Sequence, residues 1–109
     1  MKKENPVLRK LFLGFIHTHI LYHANKEPFY GQWMMHELKE HGYEISPGTL
    51  YPILHNMTAQ GLLHFSLSIV DGKQRKYYHI TELGKEVLQQ ATAKSLELAR
   101  ELTKDEKNL

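Results

Sequence analysis

The sequence predicts a mainly α-helical protein with one β-hairpin, an α+β fold class, and three observations support this prediction. Four segments carry apolar residues at the spacing of three and four that marks one face of a helix. A short connection around Gly42 joins the second of these segments to the third. From residue 63 the apolar period changes to two, ahead of an Asp71-Gly72 pair that is typical of a tight hairpin turn.

The first helix is predicted from Pro6 to about His23. Its apolar residues cover more than one stripe, which is more surface than the core of one small domain uses. These residues are Leu8, Leu11, Phe12, Phe15, Ile16, His19, Ile20 and Tyr22. The segment from Asn25 to Phe29 is predicted to be a loop, because Pro28 disfavours helix in the residue before it.

A second, short helix is predicted from about Gly31 to Glu40, with Met34, Met35 and Leu38 buried. Gly42 is expected to end it, since glycine readily adopts the left-handed conformation found after helix ends. The segment from Gly42 to Ser46 leads into a third helix, so the two helices form a helix-turn-helix.

The third helix has a clear start signal and two different faces. Ser46 is expected to accept hydrogen bonds from the N–H groups of the first turn, and Pro47 suits the first helical position. One face is apolar and carries Leu50, Ile53, Leu54 and Met57. The other face carries small and hydrogen-bonding residues, namely Gly48, Thr49, Tyr51, His55 and Thr58. Such a face can approach a DNA groove closely and donate to phosphates or base edges.

Pro52 lies inside this helix, a position that usually excludes proline. It removes the hydrogen bond to the carbonyl of Gly48, at a cost of roughly 3 kcal/mol, and is expected to bend the helix there. The bend would orient the first turn against a curved ligand.

The hairpin is the clearest β-structure in the sequence. Leu63, Phe65, Leu67 and Ile69 alternate with polar residues, and Lys73 to Ile80 supplies the return strand. A two-residue turn pairs Leu63 with Ile80, Phe65 with Tyr78 and Ser68 with Arg75. The base of the hairpin is therefore apolar. Its tip is cationic, through Lys73, Arg75 and Lys76.

Thr81 is expected to cap a last helix from Glu82 to about Thr103. Alternating steps of three and four in this helix form the seam of a helix pair, which consists of Leu88, Ala91, Ser95, Leu98 and Leu102. Ala91 and Ser95 make the seam thin, so the spare apolar surface of the first helix is the expected partner. Residues 1–5 and 104–109 are expected to be disordered.

Composition excludes several classes of protein. The chain has 109 residues, a formal net charge of +2 and no cysteine. It is large enough for one domain with a modest core, and a cytoplasmic location suits the lack of cysteine. No signal peptide or membrane span is predicted. There is no Gly-rich phosphate loop, nucleophile elbow or useful carboxylate pair, so we expect no enzyme activity.

The eight histidines raise the question of a metal site. His19 and His23 have the i, i+4 spacing that can bind one ion. No Cys or Glu completes a set at motif spacing, so we expect scattered, partly buried histidines, and no metal or cofactor. Trp33 is interpreted as core filler, with a role in a small-molecule pocket as the alternative.

Three motifs in this order resemble the PadR family of winged-helix transcriptional regulators. They are Gly48-Thr-Leu-Tyr-Pro-Ile-Leu, Gly61-Leu-Leu and Lys76-Tyr-Tyr-His-Ile-Thr-Glu-Leu-Gly84. The resemblance includes Tyr30-Gly31, Leu38 and the segment from Gly42 to Ser46, and it extends from about Leu8 to Leu88. Gln32-Trp33 replaces the tyrosine usual after the glycine. The single C-terminal helix is similar to that of short-tailed members, which have no roomy effector domain.

The resemblance and the residue patterns together predict a homodimeric, sequence-specific DNA-binding regulator, most simply a repressor that occupies a promoter. Residues 1–80 would form the winged helix-turn-helix domain, and residues 81–109 the dimerisation helix and tail. The residues predicted to bind double-stranded DNA are Ser46, Pro47, Gly48, Thr49, Tyr51, His55, Lys73, Gln74, Arg75 and Lys76. The residues predicted to form the dimer are Leu8, Phe12, Phe15, Leu88, Ala91, Ser95, Leu98 and Leu102.

Two questions stay open at this point. The same helix could serve a winged-helix module that binds protein and has no DNA affinity. A small-molecule effector is possible, but the sequence gives no identity for it, nor for the operator and the target genes.

Overall fold

The computed structural model describes residues 4–105, and within this range it contains four helices and one hairpin. In chain order these elements are α1 (Pro6–Lys26), α2 (Gly31–Glu40), α3 (Pro47–Ala59), β1 (Leu63–Val70), β2 (Lys73–Ile80) and α4 (Glu82–Thr103). The predicted α+β fold is confirmed. Of the residues predicted to be disordered, 1–3 and 106–109 lie outside the described residues, whereas the prediction was wrong for Asn5, whose side chain caps α1.

Helix α1 is one turn longer than predicted. It begins after Asn5, whose side-chain oxygen accepts from the N–H groups of Val7 at 2.8 Å and Leu8 at 3.4 Å. It then continues to Lys26. The predicted end at His23 was wrong, because a helix-breaking signal at Pro28 acts on its immediate predecessor and leaves Asn25 free to stay helical.

The core lies where α1, α2 and α3 meet the base of the hairpin. Its fully buried members are Ile20, Met34, Leu38, Leu50, Leu54, Met57 and Leu63. Met35 and Ile53, which the helical spacing also predicted to be buried, are only partly covered. The core therefore fixes the position of α3 from one side and leaves its other side in contact with solvent.

The hairpin has the predicted register, with Leu63 opposite Ile80, Phe65 opposite Tyr78 and Ser68 opposite Arg75. Asp71 and Gly72 both have positive φ, at 51° and 77°, as a type I′ turn requires. Phe29, predicted to lie in a loop, pairs with Tyr78 through two backbone hydrogen bonds of 3.2 and 2.7 Å. This bridge ties the start of α2 to the hairpin.

The start of α4 is joined tightly to the end of α3. The Thr81 hydroxyl accepts from the N–H of Gly84 at 2.9 Å, which confirms the predicted cap, and donates to the carbonyl of Gly61 at 2.6 Å. Gly84 is buried, and a Cβ at this position would overlap the Leu62 carbonyl and lie 2.7 Å from Ile80 Cγ1. Only glycine fits this contact.

The chain is extended for its size. Its Cα radius of gyration is 16.0 Å, whereas a compact domain of this length has about 13 Å. Its accessible surface is 8270 Å², whereas a folded monomer of this mass exposes about 6,300 Å². No helix within residues 4–105 is long and apolar enough to cross a membrane.

Candidate nucleic-acid interface

Helix α3 presents an exposed polar side next to the hairpin. Ser46, Pro47, Gly48, Tyr51 and His55 are exposed, and Thr49 is half-buried. This is the side that the sequence predicted, and the helix continues through Pro52 to Ala59. The bend predicted at Pro52 stays a prediction.

The predicted cap at Ser46 was wrong. Its backbone carbonyl accepts from the N–H groups of Thr49 and Leu50, at 3.0 and 2.9 Å. Its hydroxyl bonds to no backbone N–H among the described residues and lies 3.4 Å from the Thr49 hydroxyl. Pro47 already removes one N–H from the first turn, so fewer donors need a side-chain partner there. The Ser46 and Thr49 hydroxyls are consequently available at the exposed end of α3.

Tyr51 connects α3 to the start of α2. Its side chain is 44% exposed. Its ring lies against Gly31, where a Cβ would be 2.5 Å from Tyr51 Cε1 and 2.8 Å from the hydroxyl oxygen. Any larger residue at position 31 would push the ring away. Gly31 therefore determines where the Tyr51 hydroxyl stands.

The start of α2 offers free backbone N–H groups at the same corner. Tyr30 occupies the position before the helix, and no side chain within residues 4–105 caps it. Uncapped N–H groups and the positive end of the helix dipole favour an anion. Sequence analysis assigned no such role to Tyr30, because the donors here are backbone N–H groups, which every residue except proline carries.

The cationic residues of the hairpin do not form one cluster. Arg75 lies over the Tyr30 ring, with its Cζ 4.0 Å from the ring centroid, whereas Lys76 lies over Phe65 at 4.4 Å. Successive residues of a strand point to opposite faces, which explains the separation. Lys73 and Gln74 are exposed beside the turn.

A surface cleft of about 400 Å³ opens where these elements converge. It lies between the start of α2, the exposed side of α3 and the return strand of the hairpin. Its lining residues are Tyr30, Gly31, Gln32, Tyr51, Gln74, Arg75, Lys76 and Tyr78. We call the cleft and the exposed side of α3 together the reading face. It combines hydroxyl donors and backbone N–H groups with the Arg75 guanidinium, and Lys76 lies at its border.

The residues predicted to form a dimer lie on α1 and α4. Leu8, Phe15, Leu98 and Leu102 are 44, 40, 50 and 73% exposed. The remaining predicted members differ: Phe12, Leu88 and Ala91 are half-buried, and Ser95 is exposed. We call the exposed apolar parts of α1 and α4 the bare helix faces.

Trp33 is not core filler, since it is 38% exposed. It stacks on Phe29 with ring centroids 6.2 Å apart and lines an open cavity of about 340 Å³ with His23, Tyr30 and Tyr77. Position 33 lies beside the buried position 34, so its ring reaches the edge of the core and not its centre.

Comparison with known proteins gives a consistent result. Residues 20–90 match the transcriptional regulator PadR-like family. A transcriptional regulator of Mycobacterium tuberculosis is 41% identical over 95 residues, which are 87% of this chain and 89% of that protein.

Solved structures agree with the family match. A PadR-like transcriptional regulator from Bacillus cereus has a TM-score of 0.80 at 30% identity, covering 87% of this chain and 94% of that one. A PadR family regulator from Eggerthella lenta has a TM-score of 0.78 at 32% identity, covering 90% of this chain and 87% of that one.

Proposed function

This chain belongs to the PadR-like family of transcriptional regulators, and we propose that it acts as a homodimeric, sequence-specific DNA-binding repressor. Helix α3 enters the major groove, and the hairpin lies beside it along the DNA backbone. Repression follows because a dimer on a promoter excludes the polymerase. Because its proposed target is promoter DNA, we place the protein in the cytoplasm.

One observation carries this proposal, namely the convergence of anion-binding groups in the cleft beside α3. The uncapped N–H groups of α2, the Tyr51 hydroxyl and the Arg75 guanidinium all border one cleft. Arg75 is stacked on Tyr30, which holds the guanidinium plane and leaves its N–H edge able to donate. A cleft of this kind suits a DNA phosphate, because it lies next to a helix that can enter the major groove.

We assign different roles to the residues of α3. Thr49 and His55 reach base edges, whereas Tyr51 donates its hydroxyl to a phosphate and sets the register of the helix. Ser46, Pro47 and Gly48 allow the first turn to approach the groove wall. Lys73, Gln74, Arg75 and Lys76 contact the backbone or the minor groove.

The bare helix faces support a homodimer. The surface excess of about 2,000 Å² per chain over a compact monomer exceeds the roughly 800 Å² that each partner buries in a standard interface, and it suits the larger interfaces of obligate homodimers. We propose that α4 of one protomer packs on α1 of its partner, with residues 1–80 as the DNA-binding unit and residues 81–109 as the dimerisation helix and tail. A small-molecule effector would bind near this interface.

The salt dependence of DNA binding tests the proposal. Cations that bind phosphates release counterions, so affinity for a mixed-sequence duplex should fall steeply with salt, by a log–log slope of about 0.9 for each phosphate contact. Replacing Lys73, Arg75 and Lys76 with Ala should flatten the slope by up to three such contacts. An unchanged slope would mean that the hairpin is only a solvated edge. Salt-insensitive or absent binding by the unmodified chain would favour the protein-binding module.

A further inference from the structure

We propose that His19, His23, Glu37 and His41 form a binding site for one divalent transition-metal ion of the zinc class. The first two residues come from one face of α1, one helical turn apart. The other two come from the C-terminal end of α2, also one turn apart. The fold brings the two pairs together, so the site joins two helices.

The donor atoms are close enough to share an ion. Ring nitrogens of the three histidines lie within 4.8 Å of one another. The Glu37 Oε2 atom lies 3.2 Å from His23 Nε2 and 3.1 Å from His41 Nε2. Ligand atoms around a tetrahedral zinc ion, with bonds of about 2.0–2.1 Å, are roughly 3.3 Å apart. Small side-chain rotations therefore convert this cluster into a coordination sphere.

The donor set selects the kind of ion. Three imidazoles with one carboxylate, and no thiolate, suit Zn²⁺, Co²⁺ or Ni²⁺ and suit Mg²⁺ or Ca²⁺ poorly. Zn²⁺ accepts four ligands of this type in tetrahedral geometry. We therefore expect one Zn²⁺ per chain, with Co²⁺ as a spectroscopic substitute.

An unpartnered nitrogen points to a missing ligand in the cluster. His23 Nε2 is buried and has no hydrogen bond of good geometry within residues 4–105, although the Glu37 carboxylate lies beside it. A buried polar nitrogen without a partner is costly, and a metal ion would supply the partner.

Aromatic rings surround the cluster. The Tyr43 ring stands edge-on to His19 at 5.5 Å, and the Trp33 and Tyr22 rings stand edge-on to His23 at 5.3 and 4.9 Å. Such packing limits the rotamers of the ligands and lowers the local polarity, and both effects strengthen a metal site. An ion pair that merely fastens α1 to α2 would not need three imidazoles around one carboxylate.

The position of the site connects it to DNA binding, and this step rests on the proposed function. His41 is the C-cap residue that directly follows α2, at the start of the turn that leads to α3. An ion held by both helices would fix the angle between α1 and α2, and with it the position of the reading face. We therefore expect Zn²⁺ to change DNA affinity, which makes the protein a metal-responsive regulator.

Direct titration of the untagged full-length chain with Co²⁺, followed by Zn²⁺ competition, tests the site. The expected result is one Co²⁺ per chain with a visible tetrahedral absorption spectrum that Zn²⁺ displaces. His41→Ala should weaken Zn²⁺ binding at least tenfold, since even loss of a residue supporting a ligand costs about 10–100-fold. His36→Ala is the matched control, because His36 is exposed on the same helix and lies outside the cluster. It should bind Zn²⁺ like the unmodified chain.

Glu37→Gln and Glu40→Gln give a second matched pair on α2. The first should weaken Zn²⁺ binding at least tenfold and change the Co²⁺ spectrum, and the second should do neither. Absence of a tetrahedral Co²⁺ spectrum, or equal binding by His41→Ala and His36→Ala, would overturn the site. A chain that binds Zn²⁺ through these residues but never binds DNA would keep the site and refute the proposed function.

Discussion

The reading face and the bare helix faces are both exposed, but they differ in chemistry and in support. On the reading face, packing holds the polar groups in place: Gly31 positions Tyr51, and Tyr30 positions Arg75. On the bare helix faces, leucines such as Leu98 and Leu102 extend into solvent on the half of α4 that leaves the core. The first surface is a pre-organised polar site. The second is an exposed apolar surface of the kind that marks protein–protein contacts.

The 109 residues of this chain thus divide their roles between two surfaces. The winged helix-turn-helix buries apolar residues in its core, and its exposed reading face carries hydrogen-bond donors and cations. Helix α1 contributes Ile16, Ile20, Leu21 and Ala24 to that core, and the remaining apolar surface of α1 and most of that of α4 stay exposed. DNA contact and dimerisation should therefore respond to separate mutations.

The largest effect is expected from Leu98→Asp. Burial of two symmetry-related leucines is worth roughly 1.5–3 kcal/mol each, and a buried carboxylate would add a further cost. The dimer should dissociate at micromolar concentration, as sedimentation velocity would show. Leu96→Asp is the matched control, because Leu96 is 49% exposed against 50% for Leu98 and lies off the seam. A monomeric unmodified chain, or equal effects of the two changes, would show that the seam is not the interface.

A smaller effect is expected from Gly84→Ala, which tests the core rather than either surface. The new Cβ would overlap the Leu62 carbonyl, which cannot move as a side chain does. The free energy of unfolding should fall by roughly 1–3 kcal/mol, as in other overpacked sites. Denaturant unfolding measures it.

Gly48→Ala is the contrasting change on the reading face. Its Cβ would meet its nearest atom, Ser46 Oγ, at 3.7 Å, an ordinary contact. Stability should stay the same or rise by up to about 1 kcal/mol, since Ala favours helix. DNA affinity should fall, because the added methyl group holds the groove wall away. Lost stability here, or unchanged affinity, would contradict the close approach of α3.

The sequence predicts those features that depend on near neighbours in the chain. The hairpin register followed from Asp71-Gly72, because a two-residue turn leaves one pairing. The cap at Thr81 and the bounds of α2 followed in the same way. The cap predicted at Ser46 was wrong, because the sequence pattern does not show whether a capping hydroxyl turns toward the backbone.

Features that join distant segments could not be predicted. The bridge between Phe29 and Tyr78 and the contact of Tyr51 with Gly31 exist only after the elements pack together. The histidine cluster is of the same kind. The spacing of His19 and His23 was visible, but Glu37 lies on another helix, at no characteristic distance along the sequence.

Within the reading face, His55→Ala should have a specific effect. If its imidazole donates to one base edge, its loss relaxes preference at one operator position by about 1–3 kcal/mol. Affinities for single-base operator variants measure this. A uniform loss across all variants would place His55 on the backbone instead.

The smallest effect is expected from Tyr51→Phe, which keeps the ring against Gly31 and removes only the hydroxyl. Loss of one phosphate contact should lower affinity for all duplexes by a similar factor, roughly 0.5–1.5 kcal/mol. Tyr22→Phe is the control, since Tyr22 is 47% exposed on α1, away from the reading face. A changed sequence preference in Tyr51→Phe would reverse the roles of Tyr51 and His55.

Selection from a random duplex library most directly tests the claim that the chain is a dimeric reader of DNA sequence. The purified chain would retain oligonucleotides, and the bound fraction would be sequenced. Two identical reading faces related by a two-fold axis should enrich an inverted repeat, with half-sites one helical turn apart or a multiple of it. No enrichment over the input library, or enrichment of a single half-site without symmetry, would contradict that account.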